Sequence, residues 1–246
     1  MGPDLPADAF RFKREHLLAA VDRVEVLPDP PGALGLCTPS LEHVYELNLV
    51  LAPAGSEPAR AAAASVRLGV RKVRFDGAAR DAAFPAGWTV DREIVMVRRR
   101  PPDRAPGADR VRAASWEELA PCEDEMLRAG PHGRDAEARR QLVAQFRRWE
   151  AAAPGAARFA IADDDRIVAW CRAYDDGTLT EIDGVGVLPA HRGRGLGRAL
   201  MEGVLARIPA GRTVFLIAEA DDWPRRLYER LGFDAVADLR AATRAD

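Results

Sequence analysis

The chain has 246 residues, a formal net charge of −2, 48% hydrophobic residues and 30% charged residues. This composition is typical of one or two globular domains with a buried core, and it excludes a fully disordered chain. The balanced charge argues against a nucleic-acid partner, and the short apolar runs argue against a membrane span. The N-terminus lacks a signal-peptide pattern, so we expect a cytoplasmic protein. Three widely spaced cysteines and four isolated histidines predict no metal site.

The N-terminal part of the chain contains patterns that predict three strands and two helices. Alternating side chains predict a strand over residues 44–52, and an alanine-rich stretch capped by Ser56 predicts a helix to about residue 68. Residues 70–75 and 88–98 have the composition of strands, and residues 78–84 that of a short helix between them.

A proline-rich segment then marks a domain boundary. Residues 98–107 contain three prolines and a glycine but no large apolar residue, which is typical of an extended linker. We therefore expect an N-terminal half-domain over residues 1–100, a linker over 101–108 and a second domain over 109–246.

The C-terminal part is predicted to be a mixed α/β fold. Ser115 and Glu118 have the spacing of a capping box, which predicts a helix to about residue 129. Apolar and turn patterns predict strands over 110–113, 157–162, 166–174, 178–188, 213–218 and 232–239. They also predict helices over 135–152 and 222–231, and a third helix that follows the strand over 178–188 and includes Leu200, Val204 and Ile208. This order describes a mixed, mainly antiparallel sheet with flanking helices. Because residues 178–239 repeat the element order of the N-terminal part, we predict a degenerate internal repeat.

The most informative stretch is the glycine-rich loop before the helix that runs through Ile208. Gly193, Gly195 and Gly197 alternate in this loop. Glycine permits positive φ and places no Cβ between the backbone and a ligand. The free N–H groups at a helix N-terminus and the helix dipole favour an anion there. Arginine side chains suited to phosphate oxygens adjoin the loop: Arg192, Arg194 and Arg198. This chemistry indicates a pyrophosphate site.

The spacing distinguishes this loop from two common phosphate loops. Counted from Gly193, the third glycine position of G-x-G-x-x-G is Arg198, and the Gly-Lys-Ser/Thr of a Walker loop is absent. Residues 185–197 instead resemble the acyl-CoA-binding motif of the Gcn5-related N-acetyltransferases (GNAT family), V-x-V-x-P followed by R/Q-x-x-G-x-G/A. Residues 227–233 resemble the second signature of that family, a helix ending in L-Y-x-x-x-G-F. The resemblance covers about residues 109–246 and implies acetyl-CoA as the acyl donor and no metal.

The resemblance assigns the CoA-binding residues. Main-chain groups of Val185 and Val187 would pair with the pantetheine arm, in a strand that bulges at Gly184 and Gly186, while their side chains would belong to the core. The remaining CoA-binding residues implied by the motif are Gly186, Arg192, Gly193, Arg194, Gly195, Leu196, Gly197 and Arg198.

The resemblance also names candidate catalytic side chains. Tyr228 stands where the family has a tyrosine that donates a proton or hydrogen bond to the departing CoA thiolate; the alternative is a tyrosine that only packs. Glu181 and Asp183 share one face of their strand, where family members carry acids that deprotonate the acceptor ammonium. The alternative is a solvated pair at the sheet surface. We take Glu181 as the candidate base and Asp183 as an amine-binding residue.

Two functions are consistent with these motifs. The first is an acetyl-CoA-dependent N-acetyltransferase in which a primary amine attacks the thioester directly. The second is a non-catalytic acyl-CoA-binding sensor. The acceptor, a small-molecule or a protein amine, and the oligomeric state cannot be read from the sequence. Residues 53–55 are too short for a phosphate loop and Ala83 replaces the tyrosine, so we expect residues 1–100 to form a scaffold that binds no CoA.

Overall fold

The computed structural model describes residues 4–77, 83–103, 110–130 and 133–245. The chain forms two compact units: unit 1 is drawn from Met1–Met96, Ile217–Arg225 and Ala235–Asp246, and unit 2 from Val97–Leu216 and Arg226–Asp234. The chain returns to unit 1 twice after the predicted linker, so unit 1 is not confined to residues 1–100. Most of that linker, residues 104–108, lies outside the described residues.

The described residues contain six α-helices and eleven β-strands. In chain order they are α1 (Leu5–Ala20), β1 (Arg23–Val26), β2 (Leu34–Cys37), β3 (Leu49–Pro53), α2 (Pro58–Leu68), β4 (Lys72–Asp76), β5 (Trp88–Arg98), β6 (Arg112–Ala113), α3 (Trp116–Arg128), α4 (Ala136–Ala152), β7 (Gly155–Asp163), β8 (Arg166–Asp175), β9 (Leu179–Val187), α5 (Leu196–Leu205), β10 (Thr213–Glu219), α6 (Pro224–Arg230) and β11 (Phe233–Arg244). None of the helices in the described ranges is long and apolar enough to cross a bilayer.

Unit 1 is built on strands in the order β1-β2-β3-β4-β11-β5. The pair β3 and β4 is parallel, because α2 carries the chain across the sheet between them, whereas β1–β2, β2–β3 and β4–β11 are antiparallel. Apolar side chains of β3, β4 and α2 pack in one core, which includes Val50, Ala52, Ala61, Ala64, Val73 and Phe75.

Unit 2 is built on strands in the order β10-β9-β8-β7-β6. Only the β10–β9 pair is parallel, and α5 joins these two strands; the pairs from β9 to β6 are antiparallel. Helix α3 packs on α4 and on β8, and α5 packs on β7, β8 and β9. The mixed, mainly antiparallel α/β fold predicted from the sequence is therefore confirmed.

Two helices of unit 2 that the sequence predicted begin at capping residues. At α3, the Glu118 N–H donates to Ser115 Oγ at 3.2 Å, and the Ser115 N–H donates to Glu118 Oε2 at 2.7 Å. At α4, Asp135 accepts a hydrogen bond from the Ala138 N–H at 2.9 Å. These caps satisfy N–H groups that have no intrahelical acceptor and so fix where each helix begins.

Several predictions for the N-terminal part are wrong. The strand expected over residues 44–52 begins only at Leu49, because the Asn48 side chain donates to Leu41 O and Val44 O and stabilises a 3₁₀ turn before it. Helix α2 begins after Glu57, so Ser56 is not its cap.

Other elements differ in extent or were missed. Helix α5 ends at Leu205, before Ile208. The sequence analysis did not predict α1, β1 or β2. Residues 78–82 of the expected short helix lie outside the described residues, and the internal repeat stays a prediction.

Candidate active site

Strand β9 carries a bulge where the predicted CoA-binding motif begins. Trp170 of β8 pairs with Gly186 and Arg172 pairs with Asp183, so two residues of β9 face a single residue of β8. Gly184, one of those two, has φ +62°, in the left-handed region that favours glycine. A bulge of this kind leaves main-chain groups outside the ladder of hydrogen bonds. The expected bulge is therefore present.

Gly186 is required by packing against β8. A Cβ at Gly186 would lie 2.7 Å from both Cε2 and Cζ2 of Trp170, which is too close for van der Waals contact. The indole therefore covers the backbone at this point. Val185 and Val187 on either side are only partly buried, so the expectation that their side chains belong to the core is wrong.

The glycine loop after β9 presents an open concave backbone. Gly193 and Gly195 have φ values of +73° and +77°, and Gly195 is the N-cap of α5. Among the described residues, no heavy atom lies within 4 Å of a Cβ built at either glycine. Backbone conformation, and not crowding, therefore requires glycine here. The first N–H groups of α5, beginning at Leu196, have no intrahelical acceptor and are available to an anion.

Two of the predicted arginines are exposed beside this loop. The Arg192 guanidinium donates to Val187 O at 3.2 Å, and Arg194 forms an ion pair with Asp163 at 3.3 Å. Both interactions hold the arginine stems near the loop. Because each head group stays exposed, each can reorient towards a phosphate.

Arg198 lies in a different environment. Its side chain is buried, donates to Glu202 at 2.7 Å and forms a second ion pair with Asp103. A diphosphate would therefore have to compete with two carboxylates for this guanidinium. The CoA contact expected of Arg198 stays a prediction.

The two sequence signatures meet at Gly197. A Cβ at Gly197 would lie 3.7 Å from both Val187 Cγ2 on β9 and Leu227 Cδ2 on α6. The next residue of α6, Tyr228, is buried and contacts Phe233 edge-to-face, with ring centroids 6.2 Å apart. The bulged strand, the glycine loop and the tyrosine helix therefore form one local structure.

Residues 116–233 match the family model described as the Acetyltransferase (GNAT) family. By this match, residues 116–233 form a GNAT-family domain. The match includes both sequence signatures and the whole of the local structure around Gly197.

Solved structures share the fold over nearly the whole chain. A GCN5-related N-acetyltransferase from Kribbella flavida is 20% identical, with 100% of this chain and 97% of that chain covered and a TM-score of 0.60. A functionally unknown conserved protein from Staphylococcus epidermidis ATCC 12228 is 13% identical, with coverages of 91% and 94% and a TM-score of 0.65. A GCN5-related N-acetyltransferase-like protein from Streptococcus suis 89/1591 is 13% identical, with coverages of 98% and 100% and a TM-score of 0.53. At these identities the likeness shows the fold alone. No curated protein sequence matches the chain.

The GNAT domain places both predicted acids of β9 on one face of the strand. Glu181 is 1% exposed and pairs with Tyr174 of β8 and with Phe215 of β10. Asp183 is partly exposed and pairs with Arg172. The two acids therefore differ in access to solvent. Glu181 therefore lies deeper in the sheet than Asp183.

Sequence reasoning missed three charged residues near these acids, and one of them, Arg172, pairs with Asp183 across the strands. Arg172 is fully buried in β8, and it forms an ion pair with Glu123 of α3 and donates to Glu150 of α4 at 3.2 Å. The available signal was an arginine within the otherwise apolar run of residues 167–174. In the described ranges, no group of three or more His, Cys, Asp or Glu residues is arranged to hold a metal ion.

Proposed function

We propose that this chain is an acetyl-CoA-dependent N-acetyltransferase that moves an acetyl group to a primary amine by direct attack. The observation that carries the proposal is the meeting of the β9 bulge, the open glycine loop and the Tyr228 helix at Gly197. Membership of residues 116–233 in the GNAT family supports acyl-CoA chemistry in general. The amine acceptor and the direct mechanism are our inference from the side chains.

The residues around the loop fit acetyl-CoA. Backbone at Gly193 and Gly195 is open, and the first turn of α5 offers N–H groups to the diphosphate. Arg192 and Arg194 would add cationic contacts. The bulge leaves main-chain groups beside Val185 outside the hydrogen-bond ladder between β8 and β9, and these groups would bind the pantetheine amides. When bound, acetyl-CoA supplies a thioester that an uncharged amine can attack.

Side chains of the same domain would move the two protons of the reaction. An acceptor ammonium must lose a proton before its nitrogen can attack, and carboxylates on β9 can accept it: we assign Asp183 to binding the amine and Glu181 to the base. The departing thiolate gains negative charge, and the Tyr228 hydroxyl would donate a proton to it. Phe233 fixes the ring of Tyr228 by an edge-to-face contact.

A thiol-release screen tests this function. Purified full-length protein is incubated with acetyl-CoA and a panel of small amines, amino acids and peptides with free N-termini, and amide products are identified by mass spectrometry. We expect amine-dependent release of CoA with at least one acceptor, at a rate above the no-amine control. Tight binding of acetyl-CoA with no amide from any acceptor would contradict the proposal and indicate an acyl-CoA sensor.

A further inference from the structure

A buried ionic cluster lies between β8 and the helices α3 and α4. Arg172 has no exposed side-chain surface, and Glu123 is 3% exposed. Glu150 accepts a hydrogen bond from Arg172 at 3.2 Å and another from Arg158 of β7 at 2.5 Å. The Phe146 ring covers the Arg172 guanidinium at 4.0 Å from its centroid. Charged groups buried this completely are costly unless each is matched.

This cluster is incompletely matched. Among the described residues, Glu123 Oε2 and Arg172 Nη1 have no hydrogen-bond partner, although both atoms are buried. A Cβ at Gly184, the left-handed residue of the β9 bulge, would lie 3.3 Å from Arg172 Nη1. The free side of the guanidinium therefore points at the bulge, one residue from Asp183.

Charged groups from three elements act on Glu123: Arg172 from β8, Glu150 from α4 and Asp183 from β9. Tyr174, also on β8, acts on Arg172. Burial raises the pKa of Glu123, repulsion from Glu150 and Asp183 raises it further, and attraction to Arg172 offsets part of this rise. Together these effects bring the pKa of Glu123 to about 7. Glu123 therefore changes charge near neutral pH.

We propose that Glu123 is a positioning residue for acetyl transfer, which controls through Arg172 whether Asp183 can receive a cationic amine. This inference rests on the proposed function. When Glu123 is ionised, it neutralises Arg172 and leaves the Asp183 carboxylate to the acceptor ammonium. When Glu123 is protonated, Glu150 is the carboxylate that remains beside both Arg172 and Arg158. The excess positive charge attracts Asp183, which pairs with Arg172 across the strands, and repels the ammonium.

The test is a pH–rate profile of kcat/KM for the amine, in wild type and three variants. Wild type should gain activity as pH rises through about 7 and then level off, because ionised Glu123 is the active form. Glu123→Gln keeps the shape of the side chain but not its charge. This variant should lose that step and stay at least tenfold below the wild-type plateau. Glu123→Asp should keep the step, because it keeps an ionisable group.

The matched control is Glu125→Gln, the same chemical change on the same helix. Glu125 is exposed and forms an ion pair with Arg166, so its profile should match wild type. The acceptor's own ionisation is common to all variants and cancels in the comparison. Acetyl-CoA affinity, measured by calorimetry, should be equal in all four proteins and reports an intact fold.

The outcomes separate this inference from the proposed function. Wild-type turnover with an unchanged step near pH 7 in Glu123→Gln would overturn the role of Glu123 and leave the acetyltransferase proposal standing. A wild-type pH profile of kcat/KM with no step near pH 7 would also overturn the role of Glu123 and leave the acetyltransferase proposal standing. Absence of amine-dependent turnover in wild type at any pH would overturn the proposed function itself, and the role of Glu123 with it.

Discussion

Replacement of Gly195 by valine perturbs the proposed diphosphate site at a residue that requires a left-handed backbone conformation. Gly195 has φ +77°, and no heavy atom of the described residues lies within 4 Å of a Cβ built there. The penalty is therefore conformational, about 1–2 kcal/mol for an L-residue held in the left-handed region. Valine should relieve this strain by moving its φ out of the left-handed region. That change of backbone conformation rotates the N–H groups at the start of α5 away from the proposed diphosphate. We expect acetyl-CoA affinity to fall at least about tenfold, or about 1.4 kcal/mol.

Gly211→Val is the matched control for Gly195→Val. Gly211 has φ +89°, and no heavy atom of the described residues lies within 4 Å of a Cβ built there, but it lies in the turn before β10, outside both sequence signatures. We expect this variant to bind acetyl-CoA within about twofold of wild type. Isothermal titration calorimetry measures both affinities, and circular dichroism checks that each variant is folded. Wild-type affinity in a folded Gly195→Val protein would refute the reasoning, as would an equal loss in Gly211→Val.

Three further predictions concern the acid, the strand and the N-terminal half. Tyr228→Phe should lower kcat about a hundredfold with unchanged acetyl-CoA affinity, whereas Tyr45→Phe, outside the family match, should keep wild-type kcat in the same steady-state assay. Gly186→Ala should lower the free energy of unfolding by about 1–3 kcal/mol in urea titrations, because its methyl group would overlap the Trp170 ring. Adding Trp170→Leu to Gly186→Ala should recover part of that loss, because the smaller side chain leaves room for the methyl group. Calorimetry should give one acetyl-CoA per chain; two would contradict the scaffold role of residues 1–100.

Features encoded by neighbouring residues could be predicted from the sequence. The capping box of α3 depends on Ser115 and Glu118, three positions apart, so its signal is local. The glycine loop and the L-Y-x-x-x-G-F signature are contiguous patterns, and both lie within the family match. Local patterns of this kind depend on the backbone conformation of a few neighbouring residues, so they can be recognised in the sequence without knowledge of distant contacts.

Features that depend on distant contacts could not be predicted. The strand expected from residue 44 fails because Asn48 bonds to residues on an earlier turn, including the Thr38 N–H. Helix α1 was missed because its buried face includes Ala9, His16 and Ala20, which give a weak apolar pattern.

The ion pair between Glu123 and Arg172 joins residues 49 positions apart and follows no motif. Such a pairing exists only once α3 packs on β8. The same holds for the ion pair between Arg198 and Asp103, which are 95 positions apart. The pair between Arg198 and Glu202, by contrast, has the local spacing of four residues on one helix.

A single-turnover experiment tests the central claim most directly. Enzyme in excess over acetyl-CoA, labelled in the acetyl group, is mixed with an acceptor amine found in the thiol-release screen and quenched at successive times. Direct transfer predicts that each thiol released is matched by one labelled amide, and that the quenched protein carries no label at any time. Thiol release without amide, or label on the protein before it reaches the amine, would contradict the account.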